Sequence, residues 1–275
     1  GSGATNTETV SVGAIGTADE INTIIITGAD GVTLSGDINT SAATGNTLAI
    51  TGAVTISGDV DINTYNSNDA TTGTVPFRST VDGASSGSNN LDIDTGNAAI
   101  SFGGVIGSNY GLTSLDLNQD STSVIALTIP AIGDSDTVGV TGVSRIGTST
   151  TTKITLSGTV YKFGGATTFT AASGETIDMS GTDVTFTLSA DAITFATGTI
   201  ELLNGADLTI NSVGGAISIV SIMGTSSEDV TLNANAGSDG ASTTETVSIG
   251  AIGTSDEINT IAITGRDGIT LTGNV

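Results

Sequence analysis

Short apolar phrases that return every 22 to 24 residues constrain this chain more than any other feature. TIIITG at 23–28 recurs as TLAITG at 47–52, and VTLSGD at 32–37 recurs as VTISGD at 54–59. Later variants are KITLSG at 153–158, LTINSVGG at 208–215 and AISIVS at 216–221. In Val32-Thr33-Leu34-Ser35 and Val54-Thr55-Ile56-Ser57, apolar and small polar residues alternate with period two, the signature of a strand with one face buried. A step of this size fits one coil of a parallel β-solenoid, in which two or three short strands are joined at Gly- or Asn-marked corners. Strands within one coil cannot pair with each other, so they pair with the coils above and below.

A longer regularity encloses the shorter one. Thr7 to Ile38 (TETVSVGAIGTADEINTIIITGADGVTLSGDI) returns as Thr244 to Val275 (TETVSIGAIGTSDEINTIAITGRDGITLTGNV), an offset of 237 positions because 244 − 7 = 237. The differences are mild, such as Val12 for Ile249, Val32 for Ile269 and Ser35 for Thr272. The match extends to Gly3-Ala4 and Gly240-Ala241. We therefore expect residues 1–275 to be one continuous solenoid segment, holding one 237-residue period and the start of the next. Coils of roughly 22 residues would give ten or eleven turns per period, and a rise of ~4.8 Å per coil makes the period ~50 Å long. Periods could be joined covalently in tandem, or separate chains could stack cap to cap.

Composition agrees with an all-β chain. Ile, Val and Thr favour strands, whereas Gly, of which there are 39, favours with Asn and Asp the turns between them. Disorder is the competing reading for a low-complexity chain of net charge −23, but charged residues make up only 12% and the apolar blocks are regular. With 28 carboxylates against five cations, a phosphate backbone or an anionic membrane would be repelled. No apolar run approaches the roughly 18 residues of a membrane helix. Without Cys or His, neither disulfides nor a Ser-His or Cys-His nucleophile can form, and any general base would be a carboxylate of raised pKa.

Several residues are candidates for a specific role. Calcium takes six to eight oxygens, and Asp-x-Asp phrases beside Gly-rich corners could supply some of them. Those phrases are Asp59/Asp61, Asp92/Asp94 and Asp134/Asp136, joined by Asp19-Glu20 and its echo Asp256-Glu257. The alternative is a solvated acidic face, since residues two apart on a strand share a side. Asp92/Asp94 and Asp134/Asp136 are also the pairs that a carboxylate-dependent polysaccharide-cleaving enzyme would use. The triplet Ile-Asn-Thr, at 21–23, 38–40, 62–64 and 258–260, could stack its Asn amides along the axis or place them in turns. Asp30-Gly31 and Asp267-Gly268 read as turns, in which Gly supplies a positive φ and Asp bonds its own backbone. Gly103-Gly104, Gly164-Gly165 and Gly214-Gly215 read as coil corners. Pro76 and Pro130 suggest an edge, corner or bulge, and residues 63–73 a looped insertion. Tyr65, Tyr110 and Tyr161 could stack on sugars or serve as packing.

One stretch resembles a known family. In VPFRSTVDGASSGSNNLDIDTGNAAISFGGVIGSNYGLTSLDL, Val75 to Leu117, residues Phe77, Ser79, Thr80, Val81 and Gly83 match a phrase F-x-S-T-V-x-G. Leu91, Ile93, Thr95, Gly96, Ile100, Phe102, Gly103, Gly104, Ile106 and Gly107 match a second, L-x-I-x-T-G-x-x-x-I-x-F-G-G-x-I-G. Both are similar to repeats of large bacterial exoproteins of the filamentous haemagglutinin type. The resemblance implies a right-handed parallel β-helix, exported to the cell surface and used in adhesion or extended fibres. The expected function is mechanical: a non-enzymatic structural rod of a secreted fibre, sheath or surface layer, with itself as partner and no cofactor beyond calcium. The alternatives are an adhesin stalk that binds glycans and, more remotely, the polysaccharide-cleaving enzyme.

Overall fold

Alternating strands that bury one side must close around that side, and the chain does so by winding into three flat faces. The computed structural model describes residues 8–16, 21–40, 47–64, 74–95, 98–119, 125–180, 183–189, 191–235, 245–253 and 257–274. Every regular element among the described residues is a strand, and every strand pairing is parallel.

Face one carries β1 (Thr9–Val12), β3 (Gly31–Leu34), β6 (Val54–Ile56) and β9 (Val81–Gly83), then single bridges at Ile106 and Ile132. It continues through β16 (Val160–Phe163), β19 (Val184–Leu188), β22 (Leu208–Ser212), β24 (Asp229–Asn233) and β26 (Thr260–Thr264). Face two begins at Ile15, which bridges to Ile38, and carries β4 (Ile38–Asn39), β7 (Val60–Asn63), β10 (Asn90–Asp94), β12 (Ser114–Leu117) and β14 (Ser144–Ile146). Then follow β17 (Thr167–Thr170), β20 (Ile193–Thr197), the first halves of β23 (Ile217–Met223) and β25 (Thr246–Ile252), and β27 (Gly268–Leu271). Face three carries β2 (Thr23–Thr27), β5 (Thr47–Thr51), β8 (Val75–Phe77), β11 (Ile100–Phe102) and β13 (Ala126–Ile129). It ends with β15 (Lys153–Leu156), β18 (Thr176–Ser180), β21 (Thr199–Leu203) and the second halves of β23 and β25. These ten levels on face three define nine full turns.

The expected β-solenoid is thus the fold, but its coils are longer than the sequence suggested. Thr9 lies over Gly31 and Val32 over Val54, 22 residues on in each case, yet Val54 meets Val81 at 27 and Val230 meets Ile261 at 31. Corners absorb the extra residues without disturbing the ladders, and the phrases that revealed the period come from the tightest turns. Residues 65–73, within the anticipated insertion, lie outside the described residues.

The core is a set of axial columns. On face two, Ile15, Ile38, Ile62, Ile93, Leu117, Ile146, Phe169, Phe195, Ile219, Ile249 and Leu271 succeed one another in register, one per turn. Ile38 through Ile249 are buried. Aromatics thicken the middle: Phe169 stacks on Phe195 with centroids 5.2 Å apart, and Tyr161 on Phe186 at 5.0 Å. Phe186 meets Phe169 and Phe195 edge-on at 5.8 and 5.7 Å, an arrangement favoured by the ring quadrupole.

The two prolines behave differently. Pro130 follows β13 at a corner, as expected. Pro76 instead sits inside β8, in register with Ser101 of β11. Its missing N–H faces the turn above, and there β8 meets β5 only at Ile50 and Phe77. The Gly-Gly pairs all fall at corners.

Candidate functional site

On a solenoid, outward side chains of successive turns line up in columns, so a functional cluster is assembled across turns rather than along a strand. The Asp-x-Asp phrases are divided accordingly. Asp61 lies beside Asp92, and Asp92 beside Asp116, which the sequence reading had not singled out. Arg145 ends this acidic column, its guanidinium 3.0 Å from the Asp116 carboxylate. Asp94 belongs to the neighbouring column, in register with Asn63, and is buried. Asp59 sits at a corner, where its carboxylate accepts the Asn90 N–H of the next turn at 3.0 Å. Asp134 accepts the Asp136 and Thr137 N–H groups at 2.8 Å each, and these bonds hold its carboxyl below the usual range. Glu257 is exposed, while Asp19, Glu20 and Asp256 lie outside the described residues. Among the described residues, no three metal-capable side chains converge on one point.

What many corner carboxylates do is latch adjacent turns. Asp37 accepts the Asp61 N–H at 3.1 Å, Asp183 accepts that of Asp207 at 3.3 Å, and Asp207 that of Asp229 at 2.8 Å. The Asp-Gly turns work the same way. Asp30 takes the Glu8 N–H at 2.6 Å and Asp267 takes that of Glu245 at 3.0 Å, so these Asp side chains bond a neighbouring turn rather than their own backbone. Gly31 and Gly268 have φ of 145° and 148°, a conformation in which only Gly is at ease. Of the four Ile-Asn-Thr triplets, Asn39 and Asn63 are stacked in register, whereas Asn259 sits at a corner and donates to Asp229 at 2.9 Å. Asn22 also lies at a bend.

Two buried acids concentrate charge. Asp178 on β18 stands between Lys153, its ion-pair partner, and Glu201, its register neighbour on β21. The bond to Asp178 raises the Lys153 pKa. Burial first, and then the Asp178 charge, push the Glu201 carboxyl up. Strand-by-strand alignment of KITL, TIDM and TIEL could have revealed this trio, which sequence spacing alone hides. Glu228 is enclosed more completely: its carboxylate accepts the Thr225, Ser226 and Gly205 N–H groups and both neighbouring hydroxyls, at 2.9 to 3.1 Å. Burial alone would raise its pKa, but the backbone donors win and hold it at about 2. Both clusters fasten one turn to the next.

One shallow cleft opens on face one between β6, β9 and the corner at Tyr110. Tyr110 is 51% exposed there, beside Asp82, whose carboxylate holds Asn109 through its N–H (2.8 Å) and side-chain amide (3.0 Å). Tyr161 is instead a core residue: its hydroxyl donates to the Ile129 carbonyl at 3.0 Å and accepts the Gly158 N–H at 2.9 Å. Tyr65 lies outside the described residues.

The two copies of the long repeat fold alike. Thr9 pairs with Gly31 as Thr246 pairs with Gly268. The Ser35 N–H donates to Val12 and the Thr272 N–H to Ile249, both at 2.9 Å; the Ile15 N–H donates to Asp37 and the Ile252 N–H to Asn274, both at 2.8 Å. Comparison with known protein families, curated proteins and solved structures finds no match.

Proposed function

We propose that this chain is a structural segment of an extracellular bacterial fibre, sheath or surface layer, and that its work is mechanical. The observation that carries this reading is the unbroken axial stacking. One apolar residue per turn runs from Ile15 to Leu271, with backbone ladders on three faces around it. A rigid prism of this kind puts its stability into length, and its outward carboxylates are spent on latching turns and keeping rods apart. Export to the cell surface is supported by the resemblance of Val75 to Leu117 to exoprotein repeats. The partner is the protein itself, continued end to end. Electron cryo-microscopy of the native material tests this: continuous rods that advance ~45 Å along the axis per 237-residue period, from about nine turns at ~4.8 Å each, support it, and discrete capped particles overturn it.

The cleft at Tyr110 favours a second reading, an adhesin stalk that holds a glycan against an exposed aromatic ring. Glycan-array binding that is lost in Tyr110→Ala would support it.

A further inference from the structure

The duplicated segment does not occupy the same faces in its two copies. In the first, β1, Ile15, β2 and β3 lie on faces one, two, three and one. In the second, their counterparts β25, Ile252, β26 and β27 lie on faces two, three, one and two. From β1, nine steps along face one reach β24, through β3, β6, β9, Ile106, Ile132, β16, β19 and β22, and β25 comes one face later. The 237-residue offset is therefore nine and one-third turns, not the ten or eleven that short coils suggested.

Each copy also shows what the other lacks. In the first copy, β5 and β6 cover β2 and β3, and Val32 and Leu34 are 1% and 0% exposed. In the second, the equivalent Ile269 and Leu271 are 47% and 48% exposed. Conversely, β23 and β24 cover β25 and β26, burying Val247 and Ile249, whereas Val10 and Val12 of the first copy are only partly buried. Every pairing that a joint between two periods needs is thus already present, half at each end.

We infer that the coil end formed by β26 and β27 is a docking surface for a further coil with the sequence of residues 39–63, and that this coil arrives one face round from its place in the first copy. The inference rests on the end-to-end reading above and adds its geometry. Successive periods are turned by a third of a turn, so a given outward side chain visits the three faces in order. The rod then repeats by pure translation only after three periods, ~135 Å.

The test is a chain in which residues 39–275 are appended once or twice after Val275, compared with the 275-residue chain. In the first copy the Gly28 and Val32 N–H groups bond the coil below, at Thr51 and Ala53. The equivalent amides of Gly265 and Ile269 should therefore exchange at least about 100-fold more slowly once the chain is extended. Unchanged exchange at these two amides would overturn the docking surface. With Ser11→Cys and its equivalents labelled in the three-period chain, electron microscopy should place the labels on three different faces. Labels on one face, in a continuous rod of ~45 Å repeat, would overturn the rotation and leave the rod standing. Native material made of discrete particles would sink the rod reading, while slowed exchange in the extended chain would still uphold the docking surface.

Discussion

Phe169→Ala tests the claim that stability is local along the axis. Phe169 is fully buried, stacks on Phe195 at 5.2 Å, and meets Phe163 and Phe186 edge-on at 6.2 and 5.8 Å. Truncating a buried Phe costs about 3–5 kcal/mol. Three aromatic partners are lost at once and the flanking ladders hold the backbone against collapse, so the upper half of that range applies, about 4–5 kcal/mol. Because each turn touches only its neighbours, the loss should fall on β14, β17 and β20, and the rod should open there first. Hydrogen exchange with residue resolution is the assay, since a long array need not unfold in one step. Opening free energies should fall by about 4 kcal/mol in those strands and by less than ~0.5 in β2 and β5. A loss below ~1.5 kcal/mol, or one spread evenly along the axis, would refute the column picture.

Other perturbations follow from the buried acids. Glu228 has a folded pKa of about 2 against 4.5 unfolded, so its stabilisation is complete above pH 4.5 and drains away as pH falls toward 2. Glu228→Gln should abolish this acid-dependent opening at Thr225 and Ser226, as read by amide exchange against pH. Lys153→Met leaves the Asp178 carboxylate buried without its cation and should cost about 2–3 kcal/mol in urea titrations. Glu201 has the opposite sign, since its raised pKa means that stability falls as pH rises through 4.5 toward the folded value. Glu201→Gln should remove that slope and leave the protein at least as stable at pH 7. Chelation with EDTA should leave thermal stability unchanged, because the corner carboxylates of Asp59, Asp134 and Glu228 already accept backbone N–H groups; a drop in Tm would support the calcium reading.

The architecture was legible because its cause is local. Val-Thr-Leu-Ser alternation and a step of 22 require a closed coil whose strands pair between turns. Coil length was misjudged because the phrases that align, such as those at 32–37 and 54–59, are the ones without corner insertions. Residues 203–229, where Glu228 reaches back to Gly205, carry no phrase that advertises the contact. Pro76 suggested an edge, corner or bulge because such places accommodate a missing N–H, yet it sits inside β8, where the ladder to β5 is simply thinner. The surroundings of the acidic pairs were hidden for a related reason: Asp59 and Asp61 are close in sequence, but one meets the turn that follows and the other an aligned carboxylate, and only the vertical register reveals either partner. Most telling is the one-third offset, which needs every turn to be counted, including those marked only by the single bridges at Ile106 and Ile132.

The ladder direction also fixes how the rod responds to tension. Bonds such as Val32 N–H to the Ala53 carbonyl run along the axis, so a pull on the two ends loads them one turn at a time, as in a zipper, instead of shearing a whole sheet. A turn that contributes ~5 Å of height releases 22 to 31 residues when it peels, roughly 75–110 Å of chain at full extension. Pulled by its ends, the molecule would yield in many small, recoverable steps and lengthen more than tenfold before its backbone bears the load.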